Sequence, residues 1–288
     1  MIEKIEITDV NNPIISIYNS RAETALYRMN EPKPGIFIAE TELVIRRALN
    51  AGYSPISMLT LKESLDNLSD LINDCDRAFI SDDLLNSINI VNSNLSIYSD
   101  NLKVYYSDYE CLKEMLGFPL TRGVACAMQR KVLPTVYEVL KDAKNIAVLC
   151  DVENPTNVGT IFRNAAALNI DAVILYGSCS DPLYRRSLRS SMGCTFSIPW
   201  TFCKDLSAVK DKGYLFAAFA LRDDSLTLSE FADIKTDKKA ILLGNEGYGL
   251  SDEIINLCDN VVKIPMREGI DSLNVAVASG IAFYELSK

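Results

Sequence analysis

The stretch NVGTIFRNA (157–165) contains Asn157 and Arg163, which could contact a ligand. Arg163 follows Asn157 by six positions, and apolar residues surround it. An arginine in such surroundings needs either an anionic partner or a route to water. An anionic ligand would supply the partner, whereas a snorkelling arginine that caps a nearby carbonyl is the alternative. The residues alone leave both interpretations open.

A second polar stretch, LLGNEGYGLS (242–251), places three glycines around Asn245 and Glu246. Glycine lets a backbone approach a ligand closely or adopt a positive φ. The stretch is neither a dinucleotide-binding fingerprint nor a P-loop, because no helix begins inside it and no Lys-Ser/Thr pair follows. A glycine-rich turn without a ligand remains the alternative.

The third stretch, IPMREGIDSLNVAVASGI (264–281), runs from the end of a predicted strand into a predicted helix. Ser272 and Asn274 stand where that helix begins. Serine and asparagine are common N-caps, so a purely structural role is the alternative to ligand binding here.

The composition excludes several kinds of chemistry. The 288 residues contain no histidine, which removes histidine bases, Ser-His-Asp triads and His-ligated zinc. The eight cysteines form no Cys-x-x-Cys pair, so we expect small core side chains and no metal. The charged amino terminus and the lack of a long apolar window predict a cytoplasmic protein that does not enter a membrane.

A net charge of −9 disfavours nucleic-acid binding by a general basic field. Any such contact must come from a local patch. The densest basic cluster is Arg185, Arg186 and Arg189, which we predict to contact nucleic-acid phosphates; a solvated helix face is the alternative.

Strands and helices alternate in the second half of the chain, which predicts an α/β domain with a mostly parallel sheet. Ligands of such sheets bind at the carboxyl ends of the strands. The predicted strands are 145–152, 171–177, 213–221, 239–247 and 260–266, and the predicted helices are 157–168 with Asn157 as N-cap, 182–192, 251–257 with Ser251 as N-cap, and 272–287.

The first half also alternates, which predicts a smaller α/β domain. We place the domain boundary at about 120–143. The resulting domains are 1–120, a linker at 121–143 and 144–288, and the predicted elements of the first are strands 35–40, 55–61 and 77–83 and helices 41–52 and 62–73.

The order and spacing of the three stretches resemble the SpoU/TrmH branch of the SPOUT superfamily of RNA methyltransferases over residues 144–288. The first half resembles the ribosomal-protein-like substrate-binding domain that many members carry. One departure is Glu268, where many members have glycine; here the glycine is Gly269.

The resemblance implies a trefoil-knotted domain, a homodimer and S-adenosylmethionine as cofactor. Backbone near Gly244, Ile264 and Leu273 would hold the adenine and ribose. Further cofactor contacts would come from Leu243, Asn245, Gly247, Met266 and Asn274.

The implied reaction is methyl transfer to a ribose 2′-hydroxyl of RNA, ribosomal RNA before transfer RNA. The resemblance assigns activation of the hydroxyl to Arg163, and we favour phosphate clamping over base catalysis because arginine stays charged. Asn157 would orient Arg163 or the ribose, and Glu246, Ser272 and Asn274 would hold these groups in place.

Two other functions remain open. A non-catalytic RNA-binding or ribosome-associated protein could use the same fold, although the presence of all the motif residues argues against it. A nucleotide-dependent oxidoreductase is disfavoured, because no GxGxxG follows the first strand of the domain.

Overall fold

The structure is a computed structural model that describes residues 2–9, 12–18, 23–28, 34–79, 101–117, 120, 123–222, 225–269 and 272–288. The chain divides into two compact units. The first comprises Met1–Val132 with Leu183–Arg189, and the second comprises Leu133–Pro182 with Ser190–Lys288. The division after Val132 lies inside the predicted interval of 120–143.

The first unit contains a five-stranded mixed sheet in the order β1-β4-β3-β5-β2. Strands β1, β4 and β3 are parallel, and β5 runs antiparallel to both β3 and β2. The strands are β1 (Ile2–Glu6), β2 (Ile36–Glu40), β3 (Pro55–Leu61), β4 (Leu102–Ser107) and β5 (Val124–Gln129), and the helices are α1 (Glu23–Arg28), α2 (Glu42–Asn50), α3 (Ser69–Ala78) and α4 (Tyr109–Leu116), with 3₁₀ turns at Pro13–Tyr18 and Lys62–Ser64.

The second unit contains a seven-stranded sheet in which every pairing is parallel, in the order β10-β12-β9-β11-β6-β7-β8. The strands are β6 (Asn145–Cys150), β7 (Ala172–Tyr176), β8 (Trp200–Cys203), β9 (Leu215–Phe219), β10 (Leu226–Thr227), β11 (Lys239–Leu243) and β12 (Asn260–Lys263). The α/β class with a mostly parallel sheet is thus confirmed.

Helices and one 3₁₀ turn connect these strands. They are α5 (Val136–Val139), α6 (Pro155–Ala167), α7 (Arg185–Ser191), α8 (Ser207–Lys210), α9 (Leu228–Ala232), α10 (Asp252–Leu257) and α11 (Val275–Leu286), with the 3₁₀ turn at Cys194–Phe196.

The central strands are buried along almost their whole length. All five residues of β11 are buried, and so are five of the six residues of β6. Helices cover both faces of a parallel sheet, so its strands read as continuous apolar runs rather than alternating ones. This burial fixes the strand ends, and thereby the loops that leave them.

Several predicted elements of the first half need correction. The predicted strand 77–83 begins inside helix α3, and residues 80–83 lie outside the described residues. The predicted helix 62–73 is a 3₁₀ turn followed by α3, which begins only at Ser69. The predicted linker 121–143 contains β5, whose residues pair with both β2 and β3.

The cysteines fit the expected structural role. All eight are free, and Cys75, Cys126, Cys150 and Cys203 are buried. Burial raises the pKa of Cys179 to about 11, so its thiol stays protonated at neutral pH. Within the described residues, no cluster of cysteine and acidic side chains could hold a metal ion, and no helix is long and apolar enough to cross a membrane.

Tyr214 ties the start of β9 to the segment that follows α5. Its ring is 3% exposed, and its hydroxyl donates a hydrogen bond to the carbonyl of Ala143 at 2.6 Å. Burial and the nearby charge of Asp171 raise the pKa of Tyr214 to about 12, so the hydroxyl remains a donor.

We expect Tyr214→Phe to lower the free energy of unfolding by about 1 kcal/mol, because it leaves a buried carbonyl without its donor. Urea denaturation measures this change. The control is Tyr137→Phe, at a ring that is 63% exposed, which should leave the stability unchanged. Equal effects of the two substitutions would contradict the assigned role of the Tyr214 hydroxyl.

Candidate cofactor and substrate site

A cavity of about 550 Å³ opens at the carboxyl edge of the parallel sheet. The loops that follow β9, β11 and β12 form its walls, together with the start of α11. Parallel strands present their carboxyl ends at one edge, which is why these loops meet there. All eight predicted cofactor residues line this cavity: Leu243, Gly244, Asn245, Gly247, Ile264, Met266, Leu273 and Asn274.

The loop after β11 is a tight reversal that only glycine permits. A Cβ on Gly244 would lie 2.4 Å from the backbone carbon of Gly249, closer than any side chain tolerates. Asn245 and Gly249 exchange two backbone hydrogen bonds of 3.0 Å, and Gly249 has φ +72°. The glycines therefore build the loop itself, in addition to any contact with a ligand.

Asn245 fixes this loop to the end of β6. Its side-chain oxygen accepts a hydrogen bond from the backbone of Gly247 at 2.7 Å, and its amide donates to the carbonyl of Asp151 at 2.8 Å. The side chain thus shapes its own turn and joins it to the neighbouring loop.

Glu246 occupies the amino-terminal end of helix α6. Its carboxylate accepts hydrogen bonds from the Asn157 amide at 2.8 Å and from the backbone of Asn154 at 3.2 Å and Glu153 at 3.4 Å. A negative charge is favourable there, because the first N–H groups of a helix lack partners and the helix dipole is positive at that end.

Asn157 joins all three loops. While its amide donates to Glu246, its side-chain oxygen accepts a hydrogen bond from the Asn274 amide at 3.2 Å. The predicted role of Asn157 as N-cap is wrong: helix α6 begins two residues earlier, and Asn154 caps it by accepting from Thr156 at 2.9 Å. Asn157 is instead 8% exposed and binds to distant parts of the chain.

Asn274 is the N-cap of α11, as predicted, and it also takes part in this network. Its oxygen accepts hydrogen bonds from the backbone of Ala276 at 2.9 Å and Val277 at 3.3 Å, which leaves the amide for Asn157. Ser272 lines the cavity but bonds to no other residue in the described part of the chain. The positive φ in the preceding loop falls on Gly269, at +84°.

Arg163 is exposed and lines neither of the two cavities of this unit. It forms no ion pair or hydrogen bond with any residue that the structure describes, Asn157 included. The neighbouring Asn164 points the other way and donates to the carbonyl of Ala276 at 2.8 Å and to Ser279 at 3.0 Å. Arg163 therefore takes the route to water, with its positive charge unneutralised within the described chain.

A second cavity of about 470 Å³ lies between α6 and α11; it shares Asn274 with the first cavity and is also lined by Asn157. Its remaining lining residues are Thr160, Asn164, Ala276, Val277, Gly280 and Ile281.

The three predicted RNA-binding arginines of α7 differ in their surroundings. Arg185 is 7% exposed and lies 3.7 Å from the carboxylate of Glu40. Arg189 is exposed, and its guanidinium bonds to the same carboxylate at 2.6 Å. Arg186 is exposed as well. The burial of Arg185 does not suit a phosphate contact, so a phosphate contact fits Arg186 and Arg189 better.

Carboxylates surround Tyr248 in the glycine-rich loop at one side of the first cavity. Tyr248 is 66% exposed, and desolvation followed by the charges of Asp151, Glu153 and Glu246 raises its pKa. Such surroundings favour a positively charged ligand. Sequence reasoning missed Asp151, Tyr248 and Arg222 at this edge. Their positions in the sequence could have indicated them. Asp151 lies near the end of the predicted strand 145–152, Arg222 follows the predicted strand 213–221, and Tyr248 lies in the glycine-rich loop.

A parallel α/β sheet with loops enclosing a cavity at its carboxyl edge defines a protein that binds a small ligand there. The SpoU rRNA Methylase family model matches residues 144–284. An uncharacterized tRNA/rRNA methyltransferase from Mycobacterium bovis is 33% identical over 258 residues, covering 88% of this chain and 81% of that protein. The chain therefore belongs to the SpoU rRNA methylase family.

Solved structures share the fold. An AdoMet-bound rRNA methyltransferase from Sinorhizobium meliloti matches with a TM-score of 0.77 at 22% identity, over 98% of this chain and 97% of that one. An RNA 2′-O ribose methyltransferase matches with a TM-score of 0.68 at 20% identity, over 98% of each chain.

We expect Glu246→Gln to lower the free energy of unfolding by about 1–2 kcal/mol. The new amide would place a donor against the backbone N–H of Glu153 or Asn154, and the negative charge at the helix end would be lost. Urea denaturation measures the change against Glu114→Gln, an exposed glutamate of the first unit, which should have no effect. A stable Glu246→Gln protein would show that the network does not hold the loops.

Proposed function

We propose that this protein transfers a methyl group from S-adenosylmethionine to a ribose 2′-hydroxyl of RNA, with ribosomal RNA as the first substrate to test and transfer RNA as the second. The observation that carries the proposal is the cavity whose loops after β11 and β12 are joined to the start of α6 through Glu246, Asn157 and Asn274. Membership of the SpoU rRNA methylase family supports the reaction class.

The cavity suits the proposed cofactor. Its volume of about 550 Å³ lies within the range of small-molecule sites, and its walls combine apolar side chains with loop backbone. Leu243, Ile264, Met266 and Leu273 would hold the adenosine part, and the carboxylates near Tyr248 would favour the cationic sulfonium. The cofactor supplies a methyl group that is already activated, so the protein must orient the acceptor and stabilise its charge.

Arg163 is the residue that we assign to the RNA. An exposed guanidinium with no carboxylate partner in the described chain is available for a backbone phosphate, which it can bind with two hydrogen bonds. Clamping the phosphate would position the adjacent ribose hydroxyl. Because arginine keeps its proton, we assign it positioning and charge stabilisation rather than removal of the hydroxyl proton. The 2′-hydroxyl would also distinguish RNA from DNA.

The exposed arginines of α7, which belong to the first unit, would bind further phosphates of the RNA. We assign phosphate contacts there to Arg186 and Arg189, which are exposed, rather than to Arg185.

Methyl transfer is tested with radiolabelled S-adenosylmethionine and total RNA from a strain that lacks the gene. We expect label in a 2′-O-methyl nucleotide, and a roughly 100-fold lower rate for Arg163→Ala, because a transition-state contact is lost. Lys204→Ala, at an exposed lysine, is the control and should keep the wild-type rate. Arg163→Ala should still bind S-adenosylhomocysteine, since Arg163 lines neither cavity.

The same experiment tests the alternative function. If the wild-type protein binds cofactor and RNA but labels no RNA, a non-catalytic RNA-binding protein on this fold becomes the better description. Failure to bind S-adenosylhomocysteine would remove the cofactor assignment and the enzyme with it.

We also propose a homodimer that forms through α11. Val277, Ile281 and Tyr284 are 53%, 39% and 56% exposed and lie four and three residues apart, so they share one helix face. This face adjoins the second cavity, to which Val277 and Ile281 contribute. A second copy would cover apolar surface next to Asn157 and Asn274.

We expect Ile281→Asp to convert a dimer into a monomer in sedimentation equilibrium, because it places a charge in an apolar interface. Val277→Asp should act likewise without harming the helix, since an acidic residue suits its first turn. Tyr109→Asp, at an exposed tyrosine of the first unit, should leave the assembly unchanged. A monomeric wild type would contradict the proposal.

A further inference from the structure

Arg222 lies at the rim of the large cavity, beyond the end of β9, and none of the three stretches with candidate cofactor residues includes it. The charged residues that line this cavity are Arg222, Glu246 and Lys263. Glu246 is already occupied by three hydrogen bonds at the other end of the glycine-rich loop. Arg222 and Lys263 are therefore the cations available to a ligand in the cavity.

The backbone of Arg222 is held by Ser225. Its N–H donates to the Ser225 hydroxyl at 3.0 Å, and the Ser225 N–H donates to the Arg222 carbonyl at 3.2 Å. Ala220, two residues earlier, is anchored to β12 through the carbonyl of Val262 at 3.2 Å. The base of the side chain is thus held at the mouth of the cavity.

The guanidinium of Arg222 is bound only loosely. Its partner is Asp252 at 2.5 Å, and the two side chains are 40% and 86% exposed. Ion pairs this exposed contribute little to stability. Asp252 also lies in the first turn of α10, where its charge remains favourable without Arg222. Arg222 could therefore exchange Asp252 for the carboxylate of a ligand at little cost in free energy.

Lys263 has a different environment. It lies close enough to Glu230 to lower the pKa of that carboxyl, in addition to the larger effect of hydrogen bonds from Thr227. Its ammonium is a point charge, whereas the guanidinium matches the two oxygens of a carboxylate.

We infer that Arg222 binds the α-carboxylate of the cofactor's methionine arm, an inference that rests on the proposed function. A sulfonium carries three groups, and the cavity offers three chemically distinct regions. The apolar slot suits the adenosine, and the end at Glu246 adjoins α6, the helix that carries Arg163. The methionine arm is the third group of the sulfonium and would lie at the rim of the cavity. Its carboxylate needs a cation as partner, and Arg222 is the cation at the rim.

Two ligands separate this contact from the rest of the cavity. S-adenosylhomocysteine carries the amino acid arm, whereas 5′-methylthioadenosine lacks it. With isothermal titration calorimetry on the full chain, we expect Arg222→Gln to lower the affinity for S-adenosylhomocysteine at least about tenfold. This is the loss typical of a charge-assisted hydrogen bond. The affinity for 5′-methylthioadenosine should stay within about twofold. Arg222→Lys should fall between wild type and Arg222→Gln.

Lys263→Gln is the matched control, because it removes the other cation of the cavity. It should weaken both ligands alike or neither. A loss confined to S-adenosylhomocysteine in Lys263→Gln, with none in Arg222→Gln, would overturn the inference and assign the carboxylate to Lys263. An equal loss of both ligands in Arg222→Gln would show that Arg222 only shapes the loop.

A measurement on the unaltered protein keeps the inference testable if Arg222→Gln does not fold. 5′-(3-Aminopropylthio)adenosine retains the amine and lacks only the carboxylate, so it should bind the wild type at least about tenfold more weakly than S-adenosylhomocysteine. Equal affinities would overturn the inference while leaving the cofactor assignment intact. If the wild type binds none of these ligands, both the proposed function and the inference about Arg222 are wrong.

Discussion

The arrangement of the site depends on one buried amide. Asn157 is 8% exposed, and both ends of its side chain are bonded to other loops, to Glu246 on one side and Asn274 on the other. A buried polar group left without partners costs about 1–3 kcal/mol, so a shift of any one loop would be penalised at the other two. The positions of the three loops are therefore coupled, although 117 residues separate Asn157 from Asn274.

Close backbone packing adds a second constraint on the same loops. The turn after β11 closes only because Gly244 has no Cβ to meet Gly249, and Asn245 then attaches this turn to the loop after β6. The carboxylate of Glu246 is thereby delivered to the end of α6, where helix N–H groups require an acceptor. The sequence Gly-Asn-Glu-Gly thus serves three purposes in order: it permits the turn, fixes it and binds the neighbouring helix.

Much of the second unit could be predicted because its strands are buried apolar runs that end in polar loops, and this pattern is local. The predictions that were wrong concern residues whose partners lie far away in the sequence. Asn157 was assigned as a cap because its true partner, Glu246, is 89 residues away. The burial of Arg185 could not be foreseen either, since Glu40 comes from a strand far earlier in the chain.

In the first unit, the leucine spacing at 62–73 fits a helix, yet the chain forms a 3₁₀ turn before α3, because local periodicity does not fix where a helix begins. The family resemblance supplied candidate cofactor residues that periodicity could not, and these line the cavity, but it did not include Arg222.

Charge divides the site between its two proposed ligands. In a protein of net charge −9 there is no general basic field to attract a phosphate chain, and the carboxylates of Asp151, Glu153 and Glu246 make the side of the cavity at Tyr248 especially unfavourable for it. The same carboxylates attract a sulfonium. Arg163 lies on α6 outside the cavity, and no described carboxylate neutralises it, so an RNA phosphate would be drawn to that side. Only the ribose oxygen would then need to approach the methyl group. This separation explains how an acidic chain can bind a cationic cofactor and an anionic polymer at adjacent positions without a general basic surface.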